Sequence, residues 1–321
     1  MSDSAVSNDI RRMQVSIVIP VFNSESSLPE LYRQLMPAMA ALVERFEVIF
    51  VEDSSRDRSW EVVRGLAAQD SRIRGLRLSR NYGQHNALLC GIRAAKYGVV
   101  LTMDDDLQHP VSEIPLLLQA LNQGHDVVYG TSDEFQHDLW RNLASRLTKL
   151  ALQSAMGAKS AAQVSAFRAF PTRLRDAFQD YRSPSVSIDV LLTWATTKFT
   201  AVSVKHAPRH TGVSNYTVRK LITHAFNLMT GFSTMPLQLA SIVGFVFTLF
   251  GFGVLAWVLG RYFIQGTSVP GFPFLASLIA IFSGAQMFTL GIFGEYLARM
   301  YGRTMERPAY VVLETSDGPS P

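Results

Sequence analysis

The chain has 321 residues, a length that suits about two domains. Hydrophobic residues make up 48% and charged residues 17%, which excludes a disordered chain, while the single Cys90 excludes a disulfide framework and a multi-cysteine zinc site. A formal charge of +4 fits anionic partners without choosing among nucleotide, phospholipid and nucleic acid.

Residues 1–13 form a polar tail containing Asp3 and Asp9, which does not read as a secretory signal. From residue 14 onward, β-rich runs at 15–21, 46–51, 73–78, 99–103 and 126–129 alternate with helical patterns at 28–45, 59–68, 84–95 and 112–123. Continuous apolar strands separated by helices predict a parallel sheet covered on both faces, a doubly wound α/β domain reaching to residue 215. Residues 216–233 place apolar side chains at helical spacing beside Arg219, Lys220 and His224. That pattern suits an amphipathic helix at a membrane surface, or else a plain linker helix.

The shortage of charge is local. The 66 residues from 233 to 298 hold only Arg261 and Glu295, whereas the other 255 residues carry 54 of the 56 charges. Two uncharged runs, about 236–260 and 271–294, each match the roughly 20 residues needed to cross a bilayer. They predict a transmembrane hairpin over 234–298 joined by a breaker-rich connector; the alternative is a helix pair buried in a large soluble core. Arg219 and Lys220 precede the first span and Arg299, Arg303 and Arg307 follow the second, while only Arg261 lies beside the connector. The positive-inside rule therefore predicts a cytoplasmic N-terminal domain and a cytoplasmic tail at 299–321.

In doubly wound sheets ligands bind at the carboxyl ends of the strands. Polar clusters follow the first strand (Pro20-Val-Phe-Asn23-Ser-Glu25), the second (Glu52-Asp53-Ser54-Ser55) and the fourth (Asp104-Asp105-Asp106-Leu107-Gln108-His109-Pro110). Ser54 and Ser55 by themselves read better as helix caps. In extended geometry Asp104 and Asp106 would face one side and Asp105 the other. With Gln108, those two carboxylates suit an oxygen-only site for Mg²⁺ or Mn²⁺ with room for phosphate oxygens; a solvated acidic loop is the alternative. No phosphate-binding G-x-x-x-x-G-K-[ST] loop and no H-E-x-x-H motif is present. The G-x-G-x-x-A match at 251–256 lies in the first apolar run and reads as chance or helix packing, and His206 and His210, with Pro208 between them, as a loop pair.

Taken together, VSIVIPVFNSE (15–25), VIFVEDSSRD (48–57), LSRNYGQHNALLCGI (78–92), MDDDLQHP (103–110), SAFR (165–168), RHTGVSNY (209–216) and GEYLARMYGRTMERPAYVV (294–312) resemble family 2 glycosyltransferases of the GT-A fold. The resemblance is to the polyprenyl-phosphate glycosyltransferases, which include dolichol-phosphate mannose synthase and bacterial undecaprenyl-phosphate glucosyl- and aminoarabinosyl-transferases. It implies an enzyme of the bacterial inner membrane that moves one sugar from a UDP- or GDP-linked donor to a polyprenyl phosphate, with no nucleic-acid partner. Carried over, Pro20, Val21, Asn23, Glu25, Asp53, Arg80, Asp104 and Asp105 would bind the nucleotide sugar. Asp104, Asp106 and Gln108 would hold the metal, with Asp106 and Arg168 counted among the catalytic residues. Arg146, Arg168, Arg209 and Ser214 would meet the acceptor phosphate.

One departure stands out. Where bacterial relatives usually read D-x-G-D-F-R, this chain reads Gln163-Val-Ser165-Ala166-Phe167-Arg168, so both carboxylates are gone. A phosphate monoester is already largely dianionic at neutral pH and needs positioning more than deprotonation. Asp189 is a spare carboxylate and a candidate base. Rival functions are a processive polysaccharide synthase, whose Q-x-x-R-W signature is missing, and a weakened membrane scaffold that binds nucleotide sugar. Small residues at 240/244 and 276/280/284 suit packing within the hairpin or a homo-oligomer.

Overall fold

The computed structural model describes residues 9–131, 164–184, 186–205, 235–265 and 271–319. The surface helix expected at 216–233, and with it Arg209 and Ser214, lies outside the described residues, as does Arg146.

Two strands show why the sheet is buried on both faces. In β1 (Gln14–Val21) and β2 (Arg45–Glu52) seven of eight residues are buried, and successive side chains enter opposite cores. Ile17, Ile19, Val48 and Phe50 pack into one core, with α1 (Leu28–Leu42), α2 (Ser59–Gln69) and α4 (Ile114–Asn122). Val18, Ile49 and Val51 pack into the other, with α3 (Gln84–Ala94) and α5 (Ile188–Ala195). The strand period of two thus divides one apolar run between two hydrophobic layers.

β3 (Ile73–Leu78) and β4 (Val99–Thr102) complete a parallel centre, with β1 between β4 and β2. Beyond it lie β5 (Val127–Thr131), β6 (Arg168–Pro171), β7 (Phe199–Ser203), β8 (Val312–Thr315) and β9 (Gly318–Pro319). The nine strands follow the order β7-β5-β6-β4-β1-β2-β3-β8-β9. The sheet is therefore mixed, which corrects the all-parallel expectation. β6 inserts antiparallel between β4 and β5, and β8 pairs antiparallel with β3. Both are four-residue strands recruited from distant segments, too short to announce themselves by periodicity. The helix expected at 28–45 stops at Leu42 because Arg45 already belongs to β2.

After the domain come two long helices, α6 (Met235–Gln265) and α7 (Phe272–Thr304). Within α6, Leu237–Ile264 is long and apolar enough to cross a membrane, with a mean hydropathy of 2.4, and is the one such stretch among the described residues. The helices touch where Phe247 meets Phe282 edge-on, ring centroids 5.8 Å apart. A Cβ on Gly251, within the G-x-G-x-x-A match, would lie 3.2 Å from Cζ of the same Phe282, as the helix-packing reading of that match expects. Past α7 the chain returns to the sheet, where Trp60 Nε1 donates to Glu314 at 3.1 Å and Asn86 Nδ2 to the Ala309 carbonyl at 2.9 Å.

Candidate active site

The loops after β1, β2, β3 and β4 converge on a cavity of about 290 Å³. The end of β1 contributes Pro20 and Val21, with Phe22 just beyond it; Asp53 follows β2, and Asn81, Gly83 and Gln84 come from the loop after β3 and the start of α3. Asp104, Asp105 and Asp106 supply the acidic wall. The strand-end clusters read from the sequence therefore do meet, except that Asn23 and Glu25 brace the loops to each other. The Asn23 amide donates to Ser55 Oγ at 3.0 Å, and Asn23 Oδ1 accepts from the Arg56 amide at 2.9 Å. Glu25 accepts from the Arg58 amide at 2.9 Å and donates its own to Asp57 at 3.0 Å. Ser54 and Ser55 are not helix caps, since α2 begins after Arg58; Ser55 is spent on the brace.

Asp53 is buried, and its two oxygens accept the Tyr82 and Gly83 amides at 2.7 Å each. Burial pushes its carboxyl up, against the pull of those two donors and of Arg80. Arg80 is exposed and lies with its guanidinium carbon 4.4 Å from the Tyr82 ring centroid. Asn81, Gly83 and Gln84 were legible only as part of the RNYGQ motif; no charge or periodicity marks them as cavity walls.

β4 ends at Thr102 and Leu107 turns with φ 63°, so the aspartates leave the extended geometry that would have split them. All three face one cavity, which corrects the expected alternation. Asp104 accepts from the Gln84 amide nitrogen at 2.7 Å, Asp105 from the Phe22 amide at 3.3 Å, and Asp106 from the Gln108 amide at 3.1 Å. Gln108 thus meets Asp106 through its backbone and does not border the cavity. Burial, then repulsion from Asp106 and Asp105, pushes the Asp104 carboxyl up to about 7; Arg168 and Gln84 pull the other way. Burial likewise lifts Asp105 to about 6, against hydrogen bonds from Ser24 and Phe22.

Among the described residues no three His, Cys, Asp or Glu side chains enclose an ion by themselves. A Mg²⁺-type cation needs only one or two carboxylates when phosphate oxygens complete its shell. The hard oxygen donors of Asp104 and Asp106 fit that role, and a cation would relieve the crowding that raises Asp104.

Behind this wall sits a cluster that the sequence did not assemble. Arg168 and Asp189 are both buried and form an ion pair, and Tyr129 donates to the same carboxylate at 3.0 Å. Arg168 does not border the cavity, and its Nε is buried without a hydrogen-bond partner among the described residues. His109, the histidine of the cluster read after the fourth strand, accepts the Asp104 amide at 3.4 Å and stacks on Phe167 at 5.1 Å.

A doubly wound sheet with β6 set antiparallel beside an acidic strand end defines a GT-A domain. Glucosyl-3-phosphoglycerate synthase from Mycobacterium tuberculosis, solved with Mn²⁺, UDP and glucosyl-3-phosphoglycerate, has the same fold at a TM-score of 0.52. The match covers 72% of this chain and 82% of that one at 17% identity. A sequence profile described as "Glycosyl transferase family 2" matches residues 16–182. The undecaprenyl-phosphate 4-deoxy-4-formamido-L-arabinose transferase of Pseudomonas syringae pv. syringae (strain B728a) is 38% identical over 310 residues, 96% of this chain and 92% of that protein. Its counterpart in Pseudomonas aeruginosa (strain LESB58) is 38% identical over 301 residues, 93% of this chain and 89% of the relative. The chain belongs to glycosyltransferase family 2 and is a glycosyltransferase.

Proposed function

We propose that the protein transfers one sugar, with inversion, from a nucleotide sugar to a polyprenyl phosphate at the cytoplasmic face of a bacterial membrane. The carrying observation is the acidic cavity at the ends of β1, β2 and β4 in a chain whose domain is followed by a helix with an apolar stretch of 28 residues. The relatives, named for undecaprenyl phosphate and a formamido-arabinose, supply the acceptor class and the first sugar to test.

In this reading residues 14–215 are the catalytic domain and 216–233 lie along the membrane surface. The spans at about 236–260 and 271–294 form a hairpin, with both termini cytoplasmic and the tail at 299–321 returning to the domain. Pro20, Val21 and Asp53 hold the base and ribose, with Asn23 and Glu25 fixing the loops beneath them. Arg80 approaches the diphosphate. Asp104 and Asp106 hold Mg²⁺ or Mn²⁺, the ion seen with UDP in the mycobacterial synthase. Held there, such an ion would supply Lewis-acid stabilisation of the negative charge on the diphosphate. Arg146, Arg209 and Ser214 position the acceptor phosphate, and Arg168 supports the acidic wall from behind. Orienting an acceptor that is already anionic supplies much of the acceleration.

Full-length protein in lipid nanodiscs, given undecaprenyl phosphate and a set of UDP- and GDP-sugars, tests this by mass spectrometry of the lipid. A single monoglycosylated lipid is expected. A polymer, or no transfer with any donor although nucleotide sugar binds, would sink the reading.

A further inference from the structure

The registers of three strands gather one buried cluster. Arg168 in β6 pairs with Thr102 in β4 on one side and with Tyr129 in β5 on the other. Its side chain is 2% exposed, and the guanidinium carbon lies 5.8 Å from the Tyr129 ring centroid. Asp189, in the first turn of α5, receives both Arg168 Nη1 and the Tyr129 hydroxyl on its Oδ1. A helix N-terminus favours a carboxylate at that position.

This geometry does not suit a base. Asp189 is 3% exposed and does not border the cavity, and one of its oxygens already serves two donors. Arg168, by contrast, stands in register beside Thr102, the last residue of β4 and two residues before Asp104. A buried guanidinium that loses its carboxylate moves toward the next anion or leaves an uncompensated charge. Here the next anion belongs to the acidic wall.

We propose that Asp189, assisted by Tyr129, is a positioning residue that holds the Arg168 guanidinium away from Asp104 and so keeps the acidic end of β4 free to take a divalent cation. The inference rests on the metal reading given above.

Mn²⁺ binding to the full-length protein, followed by electron paramagnetic resonance of the free ion, tests this without turnover. Loss of an outer residue that orients a metal ligand typically costs 10- to 100-fold in affinity. Asp189→Asn is expected to weaken Mn²⁺ binding by about that factor. Tyr129→Phe should weaken it by a smaller factor in the same direction. Asp189→Asn combined with Arg168→Met removes the released cation and should restore affinity to near wild type. A folded Asp189→Asn protein that binds Mn²⁺ like wild type would overturn the inference, since that is how the loss of a base would behave. If Asp189→Asn does not fold, Tyr129→Phe decides, and unchanged affinity there overturns it. Wild-type protein that binds no Mn²⁺ would sink the metal reading and this inference together.

Discussion

Gly83 adopts φ 92°, which a side chain rarely tolerates, and this turn aims the Tyr82 and Gly83 amides at the two oxygens of Asp53. A Cβ at Gly83 would meet no atom within 4 Å, so Gly83→Ala tests backbone strain alone. With ψ 156° the position lies in a region open essentially to glycine alone, so the substitution should cost about 1–3 kcal/mol in denaturant unfolding. Asp53→Ala strands both amides and should weaken nucleotide-sugar binding, measured by calorimetry, while lowering stability by about 1–3 kcal/mol. The acidic wall gives a pH signature. In the folded protein Asp104 and Asp105 hold protons up to about pH 7 and 6, whereas an unfolded chain releases them near pH 4. Stability of the metal-free protein is therefore greatest below about pH 4 for these groups, and their contribution is lost as pH rises toward 7. Thermal melts in chelator between pH 5 and 8 should show Tm falling with pH, and Asp104→Asn should flatten the slope.

At the scale of elements, contact between α3 and the sheet depends on one missing side chain. A Cβ on Gly91 would lie 2.3 Å from Val18 Cγ1 and 3.0 Å from Val51 Cγ2, both in the core. Gly91→Ala should therefore cost about 1–3 kcal/mol by overpacking, read from chemical denaturation. The same shift would move Gln84 at the other end of α3 and with it the hydrogen bond to Asp104, so donor KM should rise as well. β6 has a comparable influence: four residues carry Arg168 between β4 and β5, beside the strand that leads into the aspartates.

In the whole molecule, the two ends of the sequence share one sheet. β8 covers the outer edge of β3, and Glu314 joins Trp60 with Arg77 nearby at 3.7 Å. A chain ending at residue 304 would expose that edge and leave Asn86 without the Ala309 carbonyl. It should melt below the full-length protein and aggregate, as seen by light scattering, even when kept in nanodiscs. The parallel strands, the strand-end clusters and the apolar α6 were legible in the amino-acid order because each is a local pattern: an apolar run, a charge cluster, a missing charge. Assembly across distance was not legible. Nothing local indicates that Arg168 and Asp189, 21 residues apart, share one buried ion pair with Tyr129. Nor does it show that residues 312–315 close the edge of a strand at 73–78. The sequence by itself determined the class of fold, the acidic strand end and an apolar helix, since periodicity and composition act over a few turns of chain. Only the tertiary structure decided that the sheet is mixed, that the three aspartates share one wall and that Asp189 holds an arginine, because register and burial are set between segments far apart in sequence.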